Sequence, residues 1–275
     1  MPGAKTLMKQ LLKSFFYLFP AFLSEKNALI FINYIKLFIT SFIYHRFKKR
    51  GTEQEKQTGI MGYKISFFNY PALINQFEEI FIYKSYRFNS RSQNPFIFDC
   101  GSNIGISLLY FKIFHPGSRI MAFEPDPVNF RLLKKNIEQN RFSNITLHHF
   151  ALGTQEGSCK LYHSQEGSGS LNTSIYANEP DSGFINAPMK KLSSFIHEEV
   201  DFMKMDVEGA EGEIIREVSI SGKLENFREL TMEYHPIPGR NEKIITELKD
   251  AGFILQNELK FNQGPEMVLQ FKKHH

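Results

Sequence analysis

A mostly parallel α/β sheet, covered by helices on both faces and closed at one edge by an antiparallel hairpin, is the fold this sequence predicts. Three observations carry it. From Pro95 onward, short apolar segments alternate with helical ones, the pattern of a parallel sheet with crossover helices. The stretch "FIFDCGSNIGISLLYF" (96–111) runs from an apolar strand through two glycines into a helix, and such a turn suits a ligand. The last two strand segments are joined by a short Asn-Gln-Gly-Pro turn, too short for a crossover, so they pair antiparallel.

Of the 275 residues, the first fifty hold nine Lys/Arg against one acid, Glu25, and the remainder is slightly acidic. The later part therefore lacks the basic surplus of a nucleic-acid binder. Two cysteines, Cys100 and Cys159, cannot build a disulfide framework, and a reducing cytosol is the simple reading. The apolar start has no clear small-residue cleavage site, so no cleavable signal is expected.

"LLKSFFYLFPAFL" and "ALIFINYIKLFITSFIYHRFKKR" make residues 8–50 apolar and basic at once. The second run is near the minimum for a spanning helix, with Lys36 close to its middle and a basic cluster, His45 to Arg50, at its end. Three readings are open. The segment docks on the catalytic core or on a second subunit, which would make a homo-oligomer. It lies as a peripheral helix on the inner membrane face, its basic end on anionic headgroups. Or it spans the bilayer. The polar stretch "RGTEQEKQTG" (50–59) is the best linker, dividing the chain into an extension, 1–58, and a catalytic domain, 59–275.

In that domain "YKISFF" reads as a strand and "PALINQFEEIFIYKSY" as a helix. "PFIFDC" is the first strand of the alternation and "IGISLLYFKIF" its helix. "RIMAFEP" is the second strand, followed by helix "DPVNFRLLKKNIEQN" with Asp126 as N-cap and Pro127 at its first position. "NITLHHFAL" is the third strand. Residues 153–195 interrupt the rhythm: "SCKLYH" and "INAPMKKL" form an added hairpin around the Gly/Ser-rich "SQEGSGSLNTS", which is either an acceptor-side lid or a plain surface loop. Strand "VDFMKMDV", helix "GAEGEIIREV", strand "ELTMEYHP", helix "NEKIITELKDAG" and strands "FILQNEL" and "EMVLQFKK" complete a seven-stranded, Rossmann-like sheet. A closing antiparallel hairpin departs from standard dinucleotide folds, whose last strands are parallel; it is what class I S-adenosylmethionine (SAM) methyltransferases have.

Ligands of open α/β sheets bind beyond the carboxyl ends of the strands. There the first loop carries Asp99, Gly101, Asn103 and Gly105. Gly101 permits a tight turn and Gly105 a close approach, while a carboxylate at Asp99 suits a cationic amino-acid group better than a pyrophosphate. Together with spacing that is not G-x-G-x-x-G, this weighs against NAD. Glu124, ending the second strand, can accept two hydroxyl hydrogen bonds from a ribose. An adenosine-bearing cofactor with a cationic tail, SAM, fits both, with adjoining Ser102, Pro125 and Ala151 in the same site. The fourth strand ends in Asp206, Glu208 and Glu211; the first-turn position accounts for Glu211 and competes with chemistry for Glu208. His235, after the fifth strand, is either a general base or a structural histidine. Asp206, Glu233 and His235 could alternatively hold a divalent metal, a reading not favoured because their spacing is not diagnostic.

Together "IFDCGSNIGISLLYF", "IMAFEPDPVNFRLLKKNIEQN", the "FALG" that follows and "DFMKMDVEGAE" resemble the FkbM-type family of SAM-dependent methyltransferases, from about residue 60 to the C-terminus. The resemblance implies a class I methyltransferase fold and O-methylation of a hydroxyl on a sugar, polysaccharide or polyketide-type product. It places Asp99, Gly101, Asn103, Gly105 and Glu124 against SAM and Asp206 between cofactor and acceptor. Asp206, His235 and Glu208 are the expected catalytic residues. One departure is visible: Ser193 stands where the family usually has an Asp, and a role in starting a helix is expected of it. The acceptor expected is a carbohydrate, glycolipid or related small molecule. A non-catalytic SAM-binding or assembly protein is the rival reading.

Overall fold

The computed structural model describes residues 25–47, 54–163, 173–175, 183–237, 241, 243–260 and 266–273. The chain divides into two units, Met1–Ser85 and Tyr86–His275.

In the first unit, helix α1 (Glu25–Phe47) buries Ile30, Tyr34, Leu37 and Phe38, a spacing that places them on one helical face. Strands β1 (Lys56–Ile60) and β2 (Tyr63–Phe67) pair antiparallel. Met61 and Gly62 between them both have positive φ, 52° and 88°, as a two-residue hairpin turn matched to strand twist requires. The Met61 amide donates to Asn33 Oδ1 at 2.9 Å, which fastens the turn to α1. The linker expected at 50–59 thus overlaps β1, because Lys56–Gly59 have strand partners in β2. Helix α2 (Tyr70–Phe77) is capped by Asn69, which accepts from the Ala72 amide. It runs into a π-turn, Glu78–Ile82, so the helix expected through Tyr86 ends early. The wider turn lets three consecutive apolar residues, Ile80, Phe81 and Ile82, all be buried.

The second unit follows the order β3 (Phe96–Cys100), α3 (Ile106–Phe114), β4 (Arg119–Phe123), α4 (Pro127–Gln139), β5 (Ile145–His148), β6 (Ala151–Gly153), β7 (Gly157–His163), β8 (Thr173–Ser174), β9 (Phe184–Lys191), β10 (Val200–Met205), α5 (Glu211–Ile220), β11 (Phe227–Tyr234), α6 (Ile244–Asp250), β12 (Phe253–Leu259) and β13 (Met267–Lys273). Seven of these strands form one sheet in the order β12-β13-β11-β10-β3-β4-β5. Only β13 is reversed, antiparallel to both β11 and β12. The expected hairpin is present, with its last strand slotted inside rather than at the edge. Each residue of β3 is buried, as a central strand covered on both faces demands. Phe98 packs against Phe96, Phe123 and Phe227, and each such burial stabilises by about 1.5–3 kcal/mol.

After β3 the chain builds β4 and β5 on one side, then returns to lay β10 on the other. That reversal opens a crevice beyond the carboxyl ends of β3 and β10. Asp126 caps α4 as expected, accepting from the Val128 and Asn129 amides at 2.8 Å each. The third strand expected over "NITLHHFAL" is instead two strands in different sheets. Phe150 is buried against Phe123 and Phe195, and the chain turns there so that β6 pairs with β9 rather than β4. The expected added hairpin is β7 with β9, and with β6 and β8 it makes a four-stranded sheet. Of the Gly/Ser-rich loop, residues 164–172 lie outside the described residues. Ser193 is the second residue of a 3-10 turn, Leu192–Phe195, that no side chain caps; instead of starting a helix, its hydroxyl and amide both donate to the Glu217 carboxylate.

Candidate active site

A cleft enclosing about 600 Å³, solvent at its mouth included, opens beyond the carboxyl ends of β3, β4 and β10. Its walls include Gly101, Asn103, Glu124, Pro125, Ala151, Asp206 and Glu208. Seven residues expected from sequence to form one site are thus brought together by four separate chain segments. Apolar side chains of Phe150, Leu161 and Ile175 complete the far side.

The turn after β3 is tight for a visible reason. The Gly101 and Ser102 amides both donate to Phe123 O, at 3.0 and 2.9 Å. A Cβ on Gly101 would stand 1.8 Å from Asp206 O, so two backbones meet where a side chain has no room. Gly101, Asn103 and Gly105 have φ of 81°, 48° and 92°, and Glu208 on the facing loop has 54°. Left-handed backbone at non-glycine residues on a cleft wall is strain of the kind stored at functional sites.

Glu124 is buried, with Oε2 accepting from the Asn103 amide at 2.7 Å and Oε1 from the Asp126 amide at 2.9 Å. Each oxygen keeps a further lone pair for a donor from the cleft. Burial pushes its carboxyl up to about 8, opposed by the hydrogen bond from Asp126 and raised again by the Asp126 charge. Hydroxyl donors from a bound ribose would favour the ionised form.

Not every expected residue reaches the cleft. Asp99 is wholly buried behind the wall. Its Oδ2 accepts from Ser107 Oγ at 2.5 Å and its Oδ1 lies 3.6 Å from Lys204 Nζ. Burial, working against Lys204 and the Ser107 bond, holds its carboxyl above the usual range. Ser102 is also turned inward, its hydroxyl donating to Asp99 O, and Gly105 lies at the start of α3, close against Leu133.

Lys204, the last residue but one of β10, was not anticipated, although a lysine inside "VDFMKMDV" is itself a signal, since buried lysines need partners. Its ammonium donates to Gly101 O and lies 3.2 Å from Asp206 Oδ2. One buried cation thus ties the cofactor-side turn, Asp99 and Asp206 together. Asp206, with its side chain a quarter exposed, is the member that faces the cleft.

His235 stands apart from the cleft lining. Its Nδ1 is 3.0 Å from Glu211 Oε1 and its Nε2 is 3.5 Å from Glu208 Oε2. Burial alone would depress its pKa, but the Glu211 hydrogen bond, then the charges of Glu211, Glu208 and Glu233, outweigh it and raise the value to about 10. Held between Glu211 and Glu208, the ring favours its charged form, which has no lone pair for the general-base role expected of His235. Glu211, assigned from sequence to the helix dipole, proves to be a hub. It is fully buried, and it accepts from the Val207 and Gly209 amides and from Asn241 Nδ2. Asn241 also donates to His235 O at 2.7 Å and accepts from the Gly212 amide. No local pattern marks a pair thirty residues apart.

Glu208 lines the cleft. Burial first, then repulsion from Asp206, push its carboxyl up to about 8 against the pull of His235. Among the described residues no group of three or more His, Cys, Asp or Glu side chains is placed to hold a metal ion.

Strand order, the single reversed strand and a cleft at the switch point together define the class I SAM methyltransferase fold. The family model for the methyltransferase FkbM domain matches residues 99–255, and the chain belongs to that family. It is 33% identical over 160 residues to methyltransferase 1 of Beauveria bassiana, covering 50% of this chain and 64% of the relative. It is 25% identical to the 31-O-demethyl-FK506 methyltransferase FkbM of Streptomyces tacrolimicus, covering 66% of this chain and 82% of that one. The crystal structure of methyltransferase FkbM from Methylobacillus flagellatus aligns at 18% identity and a TM-score of 0.46, over 74% of this chain and 53% of that one. The chain therefore spans under two thirds of the Beauveria relative and about half of the Methylobacillus one.

Proposed function

We propose that this protein moves a methyl group from SAM to a hydroxyl of a sugar, polysaccharide, glycolipid or related natural product. The observation that carries the reading is the buried carboxylate of Glu124 on the same cleft wall as Asp206 and Glu208. That wall has an acceptor for ribose hydroxyls at one end and two acids where the methyl would be delivered. When bound, SAM supplies an electrophilic methyl on a sulfonium. Glu124 would hold the ribose. Asp206, braced by Lys204, would face the cationic tail and fix the approach line of the acceptor oxygen, an effect of positioning. Glu208, with its carboxyl at about 8, is matched to accepting a hydroxyl proton near neutral pH. The proton that the acceptor hydroxyl gives up as its oxygen takes the methyl would pass to Glu208. S-adenosylhomocysteine is the product.

The chain after the fourth strand reads Asp206-Val207-Glu208-Gly209, not the Asn/Asp-Pro-Pro-aromatic run associated with amine methylation, and this supports an oxygen acceptor. The name of the Streptomyces relative refers to a 31-O position of FK506, which is also in keeping with a hydroxyl. Transfer of tritium from methyl-labelled SAM into fractionated glycans and lipids tests the reading. Label is expected in a glycan or glycolipid fraction, with turnover lost in Asp206→Ala and the alkaline rise in rate near pH 8 lost in Glu208→Gln. Label confined to nucleic acid or protein would overturn the acceptor class. Calorimetric SAM binding without turnover on any acceptor would favour a non-catalytic binding protein.

A further inference from the structure

Helix α1 carries two apolar faces. One is packed inside the first unit: Ile30, Tyr34, Leu37 and Phe38 are buried, and the Tyr34 ring stacks on Phe77 with centroids 6.2 Å apart. On the other face Leu29, Ile32, Ile39, Phe42 and Ile43 are between 43% and 61% exposed. At 100° per residue these five and Lys36 fall on one side of the helix. Together with Lys26 they are all the exposed positions of α1 that the structure describes. No acid and no neutral polar side chain is among them.

We infer that this face of α1 lies in the headgroup region of a membrane rich in anionic lipid. Charge decides between occupants. A second copy of the same face would bring lysines against lysines, whereas anionic headgroups complement them, as they do the nine-to-one basic excess of residues 1–50. Packing decides between modes. By length and composition Lys26–Tyr44 could cross a bilayer. Crossing, however, would strip Tyr34, Leu37 and Asn33 of their partners and put Lys36 near the hydrocarbon centre. At the interface the inner face stays packed, Lys36 keeps its hydrogen bond to Gly59 O at 3.2 Å, and the outer isoleucines enter the acyl boundary.

The test is co-sedimentation of the full chain with two vesicle preparations. One is phosphatidylcholine alone and the other an equal mixture of phosphatidylcholine and phosphatidylglycerol. Binding at least about tenfold tighter to the anionic vesicles is expected, weakened by salt and lost in Ile32→Glu/Ile39→Glu. Because both positions are exposed, the variant should keep its circular dichroism and melting temperature, which shows that the loss is not misfolding. Equal binding of wild type and variant, or no binding to either vesicle, would overturn the inference. So would a dimer dispersed by the same substitutions without vesicle binding, which would assign the face to a second copy. Resistance of the membrane-bound chain to alkaline carbonate would assign it to a spanning helix.

Discussion

Gly101 and Gly222 both sit at positive φ, 81° and 70°, yet they differ in what surrounds them. A methyl at Gly222 would meet nothing within 4 Å, whereas at Gly101 it would meet the Asp206 carbonyl at 1.8 Å. Gly222→Ala should therefore cost only the left-handed penalty, about 1 kcal/mol. Gly101→Ala must separate β3 from β10 and should cost more than about 3 kcal/mol, together with loss of SAM binding. Urea denaturation and calorimetry on the two variants make the comparison, and equal costs would refute this account of the turn. At the same scale Gly101, Asn103, Glu124 and Asp206, which line the cleft, were legible because strand ends and Gly-rich turns are local patterns. That Asp99 faces inward to Lys204 was not legible, since the direction of a strand side chain depends on which face of the sheet the crevice opens.

At the level of elements, α4 shows how much a short signal determines. Asp126 and Pro127 set its start, and Asn129, Leu132, Leu133 and Asn136 give it a buried face at helical spacing. Asp126→Ala removes acceptors for two amides and should lower stability by about 1 kcal/mol, measurable as a shift in urea midpoint at unchanged slope. The strand over "NITLHHFAL" shows the opposite. Its apolar run is continuous in sequence, but Phe150 fills space between Phe123 and Phe195, and this contact breaks the strand. The π-turn after α2 is a similar case, for nothing in "EEIFI" announces a wider turn until its three apolar residues all find cover.

Across the whole molecule, three titrating groups push stability the same way with pH. His235 is raised from 6.5 to about 10, and Glu124 and Glu208 from 4.5 to about 8. A raised pKa means the folded chain holds a proton the unfolded chain releases. The contribution is complete below the unfolded value and lost as pH climbs through the folded one. The unliganded protein should thus lose stability from about pH 4.5, where the two glutamates begin to count, up to about pH 10, where His235 finishes, by an amount on the order of a few kcal/mol. Glu211→Gln should flatten the His235 part of this decline. Thermal melts across that range check it, and a flat or rising profile for the wild-type chain would contradict it.

Hydrophobic alternation, helix caps and two Gly-rich or acid-tipped strand ends, all read from residues near in sequence, were enough to determine the α/β class and the end of the sheet that holds the cleft. The resemblance in those same motifs pointed to the family. Tertiary structure decided what depends on distant residues meeting. It set the burial of Asp99 behind Lys204, the Glu211–His235–Asn241 network that holds the histidine among carboxylates, and the split of the third strand at Phe150. Local pattern encodes backbone geometry, whereas the charge state of a buried group depends on neighbours that only folding supplies.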